Sequence, residues 1–213
     1  MIIKGSIMNN IDTACNGTNS FPAFFQEYIN YLSTILVKID SISLDDLCKE
    51  FESARENGNT IFIAGNGGSA TTASTMANDL GFGIIKKTGT DNPFRVLALT
   101  DNNSMITAIG NDVGYEDIFI NQLRIHFRKG DKLIVISVSG NSPNLIKAAK
   151  WVKSECGNVI GLLGFDGGEL KALCDVAVHI NTQPGEYGPT EDVHLIINHV
   201  LTHWFQDRFK KDK

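Results

Sequence analysis

The chain has 213 residues, 42% apolar and 20% charged, with a formal net charge of −5 from 19 basic and 24 acidic side chains. That length suits one domain able to bury a substantial core, and the acidic balance argues against wrapping nucleic acid, which needs a basic face. No apolar run approaches the roughly 18 residues of a membrane span, and the four scattered cysteines, Cys15, Cys48, Cys156 and Cys174, form no CxxC pair. This favours reduced thiols in a cytoplasmic protein over a zinc ribbon or redox motif.

In chain order, residues 1–20 are polar and turn-rich and read as a flexible leader, without the charged start and apolar middle of a signal peptide. Residues 21–213 read as a single domain. "FPAFFQEYINYLSTILVKID", residues 21–40, spaces Phe24, Tyr28, Leu32 and Leu36 as one helical face. A second helix is expected over residues 43–56, with Ser43 and Asp46 in capping-box spacing and Asn57-Gly58 as its stop. The two make an N-terminal helical hairpin. Short β-rich runs follow at "TIFIAG", "FRVLALT", "KLIVISVS", "NVIGLLGF" and "VAVHI", most of them separated by helix-like stretches. Such alternation predicts a mainly parallel sheet covered on both faces. A last helix, over residues 190–210, carries Val193, Ile196, Ile197, Val200, Leu201 and Phe205.

Ligands of open α/β sheets bind beyond the C-terminal strand ends, where the following helix offers free N–H groups. Three loops stand there with suitable residues. "GNGGSA", from Gly65, satisfies GxGxxG/A, but the acidic residue of a dinucleotide site is misplaced: Asp91 precedes the next strand and Asp101 is too far. Without a Gly-Lys-Ser/Thr it is not a P-loop either. "SVSGNSPN", from Ser137, sets three serines around a glycine at the mouth of a helix, enough to surround a phosphate with hydroxyls and amides without a lysine. Either loop alone is equally an N-cap and turn; the two together point to an anion site. In the third, "IGNDVGYED", Asn111 and Asp112 suit sugar hydroxyls, or a plain turn before Gly114.

The segments "GNGGSA", "AIGNDVGYEDIF", "ISVSGNSPNLIKAAK" and "DGGELKALCDVAVHI", in this order, resemble the sugar isomerase (SIS) superfamily and are most similar to its phosphoheptose isomerases. The resemblance spans residues 21–209. It implies a flavodoxin-like three-layer α/β/α sandwich with a five-stranded parallel sheet, and a homotetramer with active sites between subunits. It also implies aldose–ketose isomerisation of a sugar phosphate, sedoheptulose 7-phosphate to a heptose 7-phosphate, for a surface polysaccharide such as lipopolysaccharide or capsule. Carried over by position, Asn66, Gly67, Gly68, Ser69, Asn111, Asp112, Ser137, Val138, Ser139, Ser142 and Glu191 would bind this substrate.

Such a reaction needs a base for the proton beside the carbonyl and an acid for its oxygen. The family carries a histidine and, four residues on, a glutamate in the first helix after the glycine loop; here these are Thr75 and Asp79. Its C-terminal glutamine and histidine correspond to Glu191 and His199. The resemblance therefore makes Asp79 the base and His199 the acid, with the carboxylate shortened by about 1.5 Å. No cofactor is required by this chemistry. The family often binds zinc through these positions, and Asp79, Glu191 and His199 would remain as a three-ligand set with an open position. The alternative is a non-catalytic SIS-fold binding or regulatory protein, of the kind that associates with the bacterial replication initiator.

Overall fold

The five apolar runs become strands because nearly every side chain in them has a helix to pack against on one face or the other. The structure, a computed structural model, describes residues 8–211. The strands are β1 (Thr60–Gly65), β2 (Arg95–Ala98), β3 (Lys132–Ser137), β4 (Asn158–Leu163) and β5 (Val176–His179), all parallel, in the order β2-β1-β3-β4-β5. The helices are α1 (Asn10–Asn16), α2 (Phe21–Leu36), α3 (Ser41–Glu56), α4 (Gly68–Asn78), α5 (Ile84–Thr88), α6 (Asn103–Asp112), α7 (Ile120–His126), α8 (Pro143–Ser154), α9 (Gly168–Leu173) and α10 (Tyr187–Lys211). The expected three-layer sandwich is present.

Side chains alternate across the sheet. Ile61, Ile63, Ile134, Ile136, Ile160 and Leu162 face Phe51 of α3, Met76 of α4 and Val193, Leu201 and Phe205 of α10. Phe62, Leu133, Val135 and Val159 face Leu123 of α7, Leu145 and Ala148 of α8 and Leu170 of α9. Central β3 is buried at all six positions, the pattern of a strand covered on both sides.

The helical hairpin forms, with adjusted ends. α2 begins after Ser20, whose hydroxyl accepts from the Ala23 N–H, and ends at Leu36 rather than residue 40. α3 begins two residues earlier than expected. Extended Asp40 accepts from the N–H groups of Ile42 (3.2 Å) and Ser43 (3.1 Å), so Asp40 is the cap and Ser43 lies inside the helix. Residues 10–16, within the segment read as a leader, form α1. The leader expectation for residues 1–7 lies outside the described residues. The carboxylate of Glu186, 1% exposed, accepts from the Asn10 N–H (2.7 Å), the Tyr31 hydroxyl (2.6 Å) and the Gln183 N–H (2.9 Å), which ties α1 and α2 to the turn before α10. Burial, then the Glu186 contact, push the Tyr31 hydroxyl up to about 12, so it stays a donor.

α10 also buries His194 completely, and among the described residues neither ring nitrogen has a hydrogen-bond partner. Burial pushes its pKa down from 6.5 to about 4, because a charged ring there would lose its water. The neighbouring Leu163 carbonyl pulls the other way, but it already accepts from the Ile180 N–H at 2.7 Å. In the unfolded chain the ring regains its ordinary pKa. The depressed folded value therefore contributes stability that is full above pH 6.5 and is lost as pH falls through about 4. The total is about 3 kcal/mol. Urea unfolding at fixed protein concentration, from pH 7.5 down to 4, should show this loss in the wild type. His194→Leu should remove that share of the pH dependence. An unchanged slope in the variant would exonerate His194.

Candidate active site

Strand order sets where the loops meet. β1 and β3 are neighbours, with Gly65 opposite Ile136, yet α4 after β1 packs on one face of the sheet and α8 after β3 on the other. Their diverging starts open a crevice at the point where strand order reverses, the usual binding position in this architecture. Two side-chain amides cross it. Asn66 Nδ2 donates to Asn144 Oδ1 (3.0 Å) and Asn144 Nδ2 donates to Asn66 Oδ1 (2.9 Å). The Tyr115 hydroxyl donates to the same Asn66 oxygen at 3.0 Å, from the 3₁₀ turn Tyr115–Asp117. Residues 65–69, 115 and 137–144 thus converge as one unit.

Within the serine loop, Ser137 Oγ accepts from the Gly140 N–H (3.1 Å) and Ser139 Oγ from the Asn141 N–H (3.3 Å). A hydroxyl that accepts in this way still has its proton to donate. Ser142 is the N-cap of α8 and makes no side-chain cap bond, so its hydroxyl is not engaged in capping the helix. The loop is braced by the one after β4. Gly140 (φ +65°) lies so close to the Gly167 carbonyl that no side chain fits, its own carbonyl accepts from the Leu170 N–H at 3.0 Å, and Asn141 Oδ1 accepts from the Glu169 N–H at 3.0 Å. Ser137 and Val138 are both buried, each 5% exposed; Val138, with an apolar side chain, can offer a ligand only its backbone. A cleft of about 450 Å³ adjoins the loop, lined by Ser139, Asn141, Phe165 and Asp166. Another, of about 650 Å³ between α2 and the β5–α10 turn, contains none of the expected site residues.

Asn111 and Asp112 end α6, which continues through the stretch read as a loop. Both are exposed, and Asn111 Nδ2 donates to Asp112 Oδ1 at 2.7 Å. No hydrogen bond joins either to the glycine or serine loops; Tyr115, three residues on, makes that link.

α4 and α10 lie side by side on the same face and run in the same direction. At their starts, Glu191 presses its carboxylate onto Gly68, leaving no room for a Cβ. That position suits an anion, since the first turn of a helix carries partial positive charge. Burial, then the charge of Asp192, raise the Glu191 pKa. Asn66, Gly67, Gly68, Ser69 and Glu191 are thus grouped at one end of α4. At the other end a π-turn, Asp79–Gly83, interrupts the helix, a feature that often marks functional positions. Asp79 Oδ2 lies 3.8 Å from His199 Nε2 and accepts from Asn198 Nδ2 at 2.9 Å; Oδ1 accepts from Asn78 Nδ2 at 3.1 Å. Residues 120 positions apart in sequence, assigned complementary proton-transfer roles, are therefore neighbours.

The residues present do not fit the expected metal set. Among the described residues no three His, Cys, Asp or Glu side chains are grouped to hold an ion. Eight residues of continuous helix separate Glu191 from His199 by about 12 Å along the axis, and Glu191 is engaged at Gly68 instead. Thr75, at the family's histidine position, turns its hydroxyl back to the Thr71 carbonyl at 3.0 Å. Sequence reasoning missed Tyr115, Asn144 and Asn198. Of these, Asn198 carried a signal: an amide inside the apolar run "LIINHVL" is out of place unless it has a partner.

Comparison with known proteins places these features in a family. A SIS domain model matches residues 23–164. The chain is 34% identical over 190 residues to a phosphoheptose isomerase of Aneurinibacillus thermoaerophilus, covering 88% of this chain and 93% of that protein. It is 34% identical over 196 residues to phosphoheptose isomerase 2 of Campylobacter jejuni, covering 91% and 92%. Among solved structures, the phosphoheptose isomerase of Neisseria gonorrhoeae superposes with a TM-score of 0.75 at 32% identity, over 87% of this chain and 96% of that one. With a matching fold, loop order and near full-length relatives, this chain belongs to the SIS domain family, alongside the phosphoheptose isomerases.

Proposed function

We propose that the protein is a phosphosugar isomerase that interconverts sedoheptulose 7-phosphate and a heptose 7-phosphate; its relatives are named as phosphoheptose isomerases. The observation that carries the reading is the meeting of Asp79 with His199 on the same face as the glycine loop. The hydroxyls of Ser137, Ser139 and Ser142 and the first turn of α8 hold the phosphate, and binding energy from that remote group positions the reacting carbons. Asp79 takes the proton from the carbon beside the carbonyl and returns it to the adjacent carbon. His199 supplies and recovers the proton on oxygen. No metal enters these steps. Asp79→Asn and His199→Ala should each lower proton exchange between sedoheptulose 7-phosphate and deuterated water by at least 10²-fold, on the scale usual for an acid–base group, with substrate affinity within a few-fold of wild type. Saturable binding without exchange in the wild type would instead identify a binding or regulatory protein.

Each active site is built from two copies of the chain, in a homotetramer. Asp79 stands about 16 Å along α4 from Gly68, whereas a seven-carbon chain with its phosphate ester extends about 10 Å on ordinary bond lengths. One chain's Asp79–His199 pair therefore serves a phosphate held in a neighbour's serine loop. Exposed apolar side chains support association: Phe21, Phe25 and Ile29 form one stripe on α2, and Val200 and Trp204 project from α10. The unpaired thiols, among them Cys15 and Cys156 in exposed positions, fit a reducing cytoplasm. Among the described residues no helix is long and apolar enough to cross a membrane. If sites are shared, tetramers reassembled from Asp79→Asn and Ser142→Ala chains should regain activity that neither variant has alone. Failure of mixed, verified heterotetramers to exceed the parents would restrict the site to one chain.

A further inference from the structure

Asn198 is wholly buried on α10, among side chains that include Val193, Ile197 and Leu201. An amide survives in such surroundings only when its polar atoms are paired. Its Nδ2 donates to Asp79 Oδ2 at 2.9 Å, and its Oδ1 accepts from the buried Thr202 hydroxyl at 3.5 Å. The same Asp79 oxygen lies 3.8 Å from His199 Nε2. Among the described residues the other carboxylate oxygen is held only by Asn78, an exposed residue.

We propose that Asn198 is a positioning residue that fixes the Asp79 carboxylate for proton transfer. This rests on the isomerase reading above. Aspartate reaches about 1.5 Å less far than glutamate, and Asp79 is partly open to solvent, with 23% of its side chain exposed. Left to itself, such a carboxylate samples several orientations, most of them turned to water. A donor locked in the core removes that freedom. It commits Oδ2 to the His199 side and leaves Oδ1, whose only partner among the described residues is the exchangeable Asn78 amide, as the oxygen that receives the substrate's proton. The electron pair of the broken C–H bond passes into the enediol, and the same oxygen returns the proton to the neighbouring carbon. Apolar packing alone does not call for an amide at 198, since Ile197 and Leu201 fill the same core with hydrocarbon.

The experiment is a double-mutant cycle on isomerisation of sedoheptulose 7-phosphate, with thermal unfolding of each variant. Asn198→Leu keeps the size and removes the donor. It should lower kcat on the order of 10²-fold, the penalty of a misplacement near 1 Å, with KM within about twofold and the unfolding temperature unchanged or raised. In an Asp79→Glu background, where the carboxylate already sits elsewhere, the same substitution should cost less than about threefold. Equal losses in both backgrounds, an unaltered kcat in Asn198→Leu, or a loss matched by reduced stability would each overturn the proposal. A wild type active on the substrate with Asn198→Leu unaffected sinks this inference alone; a wild type inert on every ketose phosphate sinks the isomerase reading with it.

Discussion

The site depends on two parallel strands lying side by side while the chains leaving them turn to opposite faces of the sheet. β1 and β3 pair from Ile61–Lys132 to Gly65–Ile136. Right-handed crossovers then send α4 under one face and α8 over the other, each held by its own core: Met76 in the first, Leu145 and Ala148 in the second. Two helix starts are thereby brought close to each other without their helices competing for space. The reciprocal amide pair of Asn66 and Asn144 spans this divide. Each amide offers one donor and one acceptor to the other, so neither leaves a polar atom unpaired in a nearly closed setting. Tyr115 uses the remaining lone pair of Asn66 and adds a third loop.

α10 connects the rest. Its 25 residues run from the Glu186 anchor to the aromatic cluster of Phe205 and Phe209. Polar groups are distributed along it where α4 passes: Glu191 opposite Gly68, Asn198 and His199 opposite Asp79. A single helix thus sets the spacing between the first turn of α4 and the Asp79–His199 pair. That spacing is a property of helical rise. It is fixed by the backbones of α4 and α10 rather than by side-chain rotamers, and the proposed sharing of sites between copies rests on it.

Features that obey local periodicity were legible in the sequence. β1, β3 and β4 read as unbroken apolar runs because both sheet faces are covered, and the glycine and serine loops were visible from residues that only special backbone geometry or an anion would favour together. Residue resemblance supplied Asp79 and His199, which neither spacing nor composition singles out. What escaped depends on distant partners. Asn66 meets Asn144 across 78 positions and Asp79 meets Asn198 across 119, and no local pattern encodes such pairs. The end of α6 misled for a different reason. "GNDVG" has turn chemistry, yet the helix runs on to Asp112 before Gly114 (φ +140°) breaks it. Glu191 was named as a ligand for two roles, and helical rise separates it from one of them.

Glu191 also distinguishes the two helix starts. Both α4 and α8 present free N–H groups and the positive end of a dipole. At α4 the Glu191 carboxylate already lies against Gly68, so a phosphate arriving there would meet a like charge in a partly dehydrated place, where repulsion is weakly screened. At α8 the N-cap hydroxyl of Ser142 is unused and Ser137 and Ser139 have protons to give. In the proposed reaction this difference would orient a sugar phosphate with its phosphate toward α8 and its hydroxyls toward Gly68 and Glu191. A carboxylate accepts hydrogen bonds from sugar hydroxyls, so under the proposed function Glu191 would favour the carbohydrate end of a sugar phosphate over its phosphate.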